Sequence, residues 1–410
     1  MISCIHFILW STVVSARQCR LHFGGNHLKI YKGNFGQLQF PLHSRLVRSE
    51  MPMRQPDFKI HLTQKHYMEE IKIALIDSAD FLARLKAEIG YFAKKLKETL
   101  FLSTESDMRS SVAILHDDLR HLNVEMKRAL SKDSNLSQEE KEILETEFKQ
   151  QLFPYFMSSG LGFQILSKPR GYAGDFQTIQ MLYDDKNLGH REFGKVVDRL
   201  LRQTSPAAAV RNRRHFFKDE IVRLVATQRN TNVTCLSSGP ATEVLDASEL
   251  VPKGRSGSLT VNLVDFDDVA LQFVSNQQED RLHERHDFNL NYINKNIVKL
   301  IVNRKKKDQL ISNQDLVYSI GVTDYLNDKT VVALLDYIHK ILRPGGRVII
   351  GNFHPRNNYT PLMELLLDWR LIHRTEEDMK RIFGQSKFGA CTDISFEPEG
   401  INMFAQGIKE

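Results

Sequence analysis

From residue 229 onward, short apolar runs alternate with helical periodicities. Val233-Thr-Cys-Leu236 reads as a buried strand, followed by a turn of small residues centred on Gly239-Pro240 and the start of a helix. A second apolar run, Leu259–Val264, ends in Asp265. A third, Asp315–Gly321, is closed by Val322-Thr-Asp-Tyr-Leu326. Val332, Leu335, Ile338 and Leu342 then recur at helical spacing, stop at the turn Arg343-Pro-Gly-Gly346, and give way to the strand Arg347–Gly351. Strands alternating with helices predict a doubly wound, mostly parallel open sheet of the α/β class.

Upstream the period changes. Ile71, Leu75, Ala79, Leu82, Leu85 and Ile89 mark one amphipathic helix, and Leu115, Leu119, Leu122 and Met126 mark a second near Arg109–Leu130. Ser137-Gln-Glu-Glu140 is a capping box that opens a third helix. Short alternating runs at His27–Tyr31 and Gln37–Phe40 predict a few strands, and Pro52 and Pro56 mark a linker. The expected organisation is a small β-rich segment over 1–56, a helical region over 57–150, a helical cap over 151–228 and a ligand-binding domain over 229–410.

The turn after the first strand lets a ligand approach bare backbone, and the following helix presents N–H groups and a positive dipole end. A phosphate cradle wants several glycines and a basic residue; this turn has Gly239 and, beyond it, Glu243. A cationic nucleoside fits better, and S-adenosylmethionine (SAM) is the candidate cofactor. Asp265 at the tip of the next strand is placed to hold a ribose diol, with Asp267 as its substitute. Gly239 is expected to face the methionine portion, among Ser237, Ser238, Pro240, Glu243 and Gly321. Phe266 belongs to the same strand end, and Asn296 is expected near adenine.

Leu236-Ser-Ser-Gly-Pro-Ala-Thr-Glu243, Val264-Asp-Phe-Asp267, Tyr318-Ser-Ile-Gly-Val-Thr-Asp-Tyr-Leu326, Leu342-Arg-Pro-Gly-Gly346 and Gly351-Asn-Phe-His-Pro-Arg-Asn357 stand in the order found in class I SAM-dependent methyltransferases. With Lys168-Pro-Arg-Gly-Tyr-Ala-Gly-Asp175 and Asp368-Trp-Arg-Leu-Ile-His-Arg-Thr375, the chain resembles the bacterial methyltransferases that make 3-hydroxypalmitic acid methyl ester, a cell-density signal. The resemblance implies a Rossmann-like fold, SAM as cofactor, a small acidic and fatty acyl substrate, and a segment around Gly171–Asp175 lying across the cofactor mouth. The general pattern carries an acid and three glycines in the first loop, where this chain has Cys235, Ser237, Gly239 and Ala241. Glu243 or a residue of the preceding segment must then compensate for the acid.

Methyl transfer is an in-line displacement that asks chiefly for orientation in a dry pocket. A carboxylate acceptor is already ionised; an alcohol or amine needs a base, for which His354 is the candidate. Asp324 and Tyr325 are expected to flank the methyl group. Arg170 and Tyr172 belong to the lid, and Ser205-Pro206 to the cap of a new helix. Arg211 and Arg214, on one helical face, and Arg356, Arg370 and Arg374 are candidates for meeting an acidic group. Trp369 with Leu365, Leu366 and Leu367 either walls an acyl tunnel or packs in the core. Two other functions stay open: methylation of another small molecule, and a signalling module that binds SAM without turnover.

Composition bounds these expectations. With 410 residues, 41% of them hydrophobic, the chain is long enough for more than one part and a sizeable core. A net charge of +6 with interleaved signs gives no reason to invoke nucleic acid. The run Arg304-Lys-Lys-Lys307 reads as a solvated loop or helix end. The four cysteines show no paired spacing, so no zinc site or disulfide framework is expected. Cys4–Ala16 is apolar but lacks a positive n-region and is too short to span a bilayer; it is read as a strand or as translated upstream sequence, in a cytoplasmic protein. The N-terminal helices are the expected surface for a homodimer.

Overall fold

The computed structural model describes residues 19–24, 27–32, 35–41, 64–101, 105–184, 188–189, 191–252, 256–282, 287–302 and 311–410. The apolar segment Cys4–Ala16, the prolines at 52 and 56, and the basic run 304–307 lie outside the described residues. The chain divides into two compact units, residues 1–78 and 79–410. In the first, β1 (Cys19–Gly24), β2 (His27–Lys32) and β3 (Phe35–Pro41) pair as an antiparallel meander, where the alternating runs predicted strands. The helix α1 (Gln64–Glu98) starts in this unit and ends in the second.

In the second unit α2 (Glu105–Leu130) and α3 (Gln138–Phe156) follow, the latter opened by the expected capping box of Ser137 and Glu140. Then come α4 (Gly160–Ser167), α5 (Phe176–Tyr183), α6 (Arg191–Gln203) and α7 (Ser205–Thr227). The apolar stripe Leu85, Ile89, Leu115, Leu119, Leu122 and Met126 is buried, in one core with Leu161, Leu200, Leu362 and Leu366. Each such side chain contributes roughly 1.5–3 kcal/mol. The cap of α7 differs from expectation by one residue: Thr204 holds the extended N-cap conformation, with Ser205 and Pro206 already inside the helix. Its hydroxyl donates to the Leu201 carbonyl, so no side chain caps α7.

The sheet contains β4 (Thr231–Leu236), β5 (Leu259–Asp265), β6 (Phe288–Asn294), β7 (Gln314–Ser319), β8 (Leu342–Phe353), β9 (Asp393–Phe396) and β10 (Asn402–Ile408), in the order β6-β5-β4-β7-β8-β10-β9. The first five run parallel; β10 is antiparallel to both neighbours. The connecting helices are α8 (Thr242–Leu250), α9 (Asp268–Arg281), α10 (Ile297–Val302), α11 (Asp328–Ile341) and α12 (Glu376–Gly384). This is the expected doubly wound, mostly parallel, Rossmann-like sheet. Both faces are covered: Val233, Cys235, Leu316 and Tyr318 pack to one side, Leu236, Val264, Val317 and Ile350 to the other. The Arg343–Gly346 turn lies inside β8 rather than before it. Leu342 pairs with Gln314 and Arg347 with Leu316, so the four intervening residues bulge from the ladder.

The chain builds outward from β4 to β6, then returns to place β7 beside β4. The strand order reverses there, and the crevice beyond the carboxyl ends of β4 and β7 is where such sheets bind ligands. Among the described residues no helix is long and apolar enough to cross a membrane, and no group of three His, Cys, Asp or Glu could hold a metal ion.

Candidate active site

The loop leaving β4 sets the floor of the crevice. Ser237, Gly239 and Ala241 all lie in the left-handed region, with φ of 56°, 53° and 44°. These are the three positions at which the general class I pattern has glycine. An L-residue there costs about 1–2 kcal/mol. A Cβ on Gly239 would meet only the Phe176 Cβ at 4.0 Å, so conformation rather than crowding favours glycine. The loop is tied to β5: the Ser238 N–H donates to the Val264 carbonyl (3.1 Å) and the Gly239 N–H to Asp265 Oδ2 (2.8 Å). The Asp267 N–H donates to Asp265 Oδ1 (3.0 Å). Burial raises the Asp265 pKa, against the pull of these N–H groups. A carboxylate can accept about four hydrogen bonds, so these backbone donors leave it acceptor capacity. The Ser238 hydroxyl is buried without a partner.

Glu243, in the first turn of α8, is buried below this loop with Pro240. Its Oε1 accepts from the Tyr318 hydroxyl (2.8 Å) and lies 3.9 Å from the Cys235 sulfur. The carboxyl thus sits beside the strand position that carries an acid in the general pattern. Burial pushes it up to about 7.

The segment between α4 and α5 covers the crevice. Lys168 ends α4 in a left-handed conformation and pairs with Asp368. Arg170 grips Asp267 with both arms, Nε to Oδ2 at 2.8 Å and Nη2 to Oδ1. Burial raises the Asp267 pKa, but Arg170 more than offsets this and leaves the carboxyl below its ordinary value. Tyr172 lies between Phe266 and Tyr325, with ring centroids 5.7 and 6.4 Å away. A Cβ on Gly174 would come within 2.7 Å of the Tyr325 hydroxyl and 3.2 Å of the Trp369 ring, so a larger residue must displace one of them. Asp175 caps α5 through the Thr178 N–H (2.8 Å). The Trp369 indole donates to the Tyr325 hydroxyl (2.8 Å), and partial burial raises the pKa of Tyr172.

Asp324, in the 3₁₀ turn Thr323–Tyr325 after β7, is buried, and its Oδ1 accepts from the Phe353 N–H (2.7 Å). Burial pushes it up to about 7. Beside it stands Arg213 of α7, 6% exposed, with Nη1 3.0 Å from where a Cβ on Gly321 would sit. The sequence pointed to Arg211 and Arg214, but these are engaged elsewhere. Arg211 donates to the Arg202 carbonyl (2.8 Å), and Arg214 pairs with Asp246 (2.6 Å) and covers the Tyr183 ring. The signal for Arg213 was its place in the buried stripe Val210, Phe217 and Ile221, where a charge has no business unless something meets it.

Several expected site residues are braces instead. His354 accepts the Arg356 N–H at Nδ1 (3.0 Å), which leaves the ring proton on Nε2, facing Glu376 (2.9 Å). Both nitrogens are occupied, so in this structure His354 braces the loop after β8 against the start of α12. Arg356 pairs with the same Glu376 and covers Phe396. Arg374 is 2% exposed and donates to Asp328, the Thr323 and Leu326 carbonyls and Asn352, locking the β7 and β8 ends together. Arg370 is exposed near Glu364 and Asp368. Asn296 accepts the Val298 N–H (2.9 Å) at the start of α10, just past β6. Behind Trp369 and Phe353 an apolar cavity of about 30 Å³ opens against Leu161, Leu182, Ala207 and Val210, with Leu362, Met363 and Leu367 but not Leu365 or Leu366 on its wall. Leu362–Leu366 is one turn of π-helix, a form often found beside functional sites.

No protein-family model and no curated protein matches the chain. Solved structures that resemble it include a possible exported protein from Bordetella parapertussis, at TM-score 0.45 and 15% identity over 75% of this chain and 99% of that one. Magnesium protoporphyrin IX methyltransferase from Synechocystis PCC 6803, with bound S-adenosylhomocysteine, aligns at TM-score 0.42 and 12% identity over 60% of this chain and 98% of that one. A carbon methyltransferase aligns at TM-score 0.42 and 11% identity over 84% of this chain and 97% of that one. Likenesses of this degree carry no function across, and the site stands on its own geometry.

Proposed function

We propose that the chain is a SAM-dependent methyltransferase acting on a small-molecule carboxylate, most specifically a 3-hydroxy fatty acid that becomes a methyl ester. The observation that carries this reading is the β4 loop. It keeps three left-handed residues at 237, 239 and 241 although two are not glycine, and it is pinned to Asp265 at the switch point of the sheet. Strain of this kind persists where function requires the shape. The donor set suits the cofactor: an acid with lone pairs for the ribose hydroxyls and an orphaned Ser238 hydroxyl.

In this reading Asp265 holds the ribose, and Asp267 is shared with the lid through Arg170. Phe266 and Asn296 border the adenine side; Ser237, Ser238, Gly239, Pro240, Glu243 and Gly321 border the methionine side. When bound, SAM supplies a methyl group on a positively charged sulfur. Tyr172, Tyr325 and Trp369 form the lid contact that fixes the approach, an orientation effect worth several kcal/mol. A carboxylate acceptor needs no base, which agrees with a His354 whose nitrogens are both engaged. Asp324, with its pKa near 7, is largely neutral in mildly acidic solution and does not repel such an acceptor. The apolar cavity behind Trp369 supports a hydrocarbon tail. At about 30 Å³ it is too small for a tail as it stands, so a tail requires the cap helices to part from the π turn.

The test is incubation with SAM and 3-hydroxy fatty acids of increasing length, with methyl ester read by mass spectrometry. Wild-type protein should give ester, and Asp265→Ala should lose cofactor affinity about 100-fold, close to 3 kcal/mol. Unchanged SAM affinity in a well-folded Asp265→Ala variant would overturn the assignment.

A further inference from the structure

We propose that Arg213 anchors the carboxylate at the amino-acid end of the cofactor. The inference rests on the SAM reading and assigns a residue that no motif marks. Phe217 stacks on Tyr318 of β7, ring centroids 4.7 Å apart and 21° from parallel. Arg213 is one helical turn earlier, and α7 runs toward the amino end of β4, so that turn carries the guanidinium to the carboxyl edge of the sheet, against Gly321. There it is 6% exposed, its Nε has no partner, and among the described residues no carboxylate lies within ion-pair distance. Its hydrogen-bonding neighbour is Tyr183, a half-buried neutral hydroxyl.

A buried guanidinium stays charged and is costly without an anion. Asp324 is the acid beside it, with Oδ2 3.6 Å from the same Gly321 point, but it is engaged by the Phe353 N–H and stands near 7. The forked donors of Arg213 therefore suit a carboxylate brought by a ligand. Two carboxylates could arrive, one on the cofactor and one on the acceptor. The placement favours the first. Gly321 follows β7, which pairs with β4 through Cys235 and Tyr318, and the Ser319 hydroxyl donates to the Leu236 carbonyl (2.9 Å). This is the side of the β4 loop, whereas Tyr325, Trp369 and Phe353 wall the acceptor side.

The experiment is calorimetric titration of the full chain, as wild type, Arg213→Met and Arg213→Lys, with S-adenosylhomocysteine and with 5′-methylthioadenosine, which lacks the amino-acid end. Arg213→Met should bind the homocysteine compound about 30-fold more weakly, Arg213→Lys should recover part of the loss, and all three should bind methylthioadenosine equally. Equal loss of both ligands, or no loss of either, would overturn the proposal. So would a normal titration with a raised KM for the fatty acid, which would give Arg213 to the acceptor. If wild-type protein binds neither ligand, the cofactor reading itself fails.

Discussion

Ser237 and Ala241 hold left-handed conformations that glycine adopts freely. Ser237→Gly and Ala241→Gly relieve about 1–2 kcal/mol of strain each, partly offset by the greater freedom of glycine in the unfolded chain. Each should therefore raise stability by up to about 1 kcal/mol, measured by chemical denaturation; a loss would mean the side chains contribute packing that outweighs the strain. Glu243 adds a pH signature. Its carboxyl stands near 7 in the folded protein against 4.5 ordinarily, so the folded state holds a proton that the unfolded state releases between those values. Stability from this group is fully present below 4.5 and is lost as pH rises through 7. Glu243→Gln should gain stability relative to wild type at pH 8, on the order of 1–3 kcal/mol, and little at pH 4. An equal effect at both would place the residue in solvent. The sequence made the small residues of the loop legible. It did not reveal that Glu243 lies against Cys235, because that contact depends on how α8 is docked.

At the scale of elements, the lid couples residues far apart in the chain. Two glycines marked the segment from sequence, one for conformation (Gly171, φ 91°) and one for space (Gly174). Arg170 was expected in the lid, and its grip on Asp267, 97 residues away, is a pairing no local pattern encodes. Gly174→Ala should push the lid off Tyr325 and Trp369 and lower kcat/KM at least about tenfold with little change in melting temperature. Unaltered kinetics would show that the lid contact plays no part in turnover. The cavity gives a second expectation. Ala207→Val should narrow it and shift preference toward shorter acyl chains, read as ester yield against chain length; an unchanged profile would put the tail elsewhere.

At the scale of the molecule, the alternation of apolar runs and helical periods sufficed for the parallel half of the sheet, because strands buried on both faces are short and uniformly apolar. The antiparallel pair β9 and β10 was not read: Asp393–Phe396 is only four residues and half-exposed, with no strong pattern. The arginines after β8 were legible as a cluster but not as braces, since Arg374 is defined by acceptors on three other segments. The state of Asp324 sets a pH profile for the whole reaction. As pH rises through about 7 its carboxyl ionises beside the acceptor, so kcat/KM for a carboxylate should fall above that pH, and Asp324→Asn should flatten the fall. A profile that rises with pH would indicate an acceptor that must lose a proton. The most direct test of the whole account is calorimetric titration of the full chain with SAM. Saturable binding at one site per chain is the predicted result. Folded protein that gives no binding heat at any temperature tried, and no displacement of its melting curve by SAM, would contradict it.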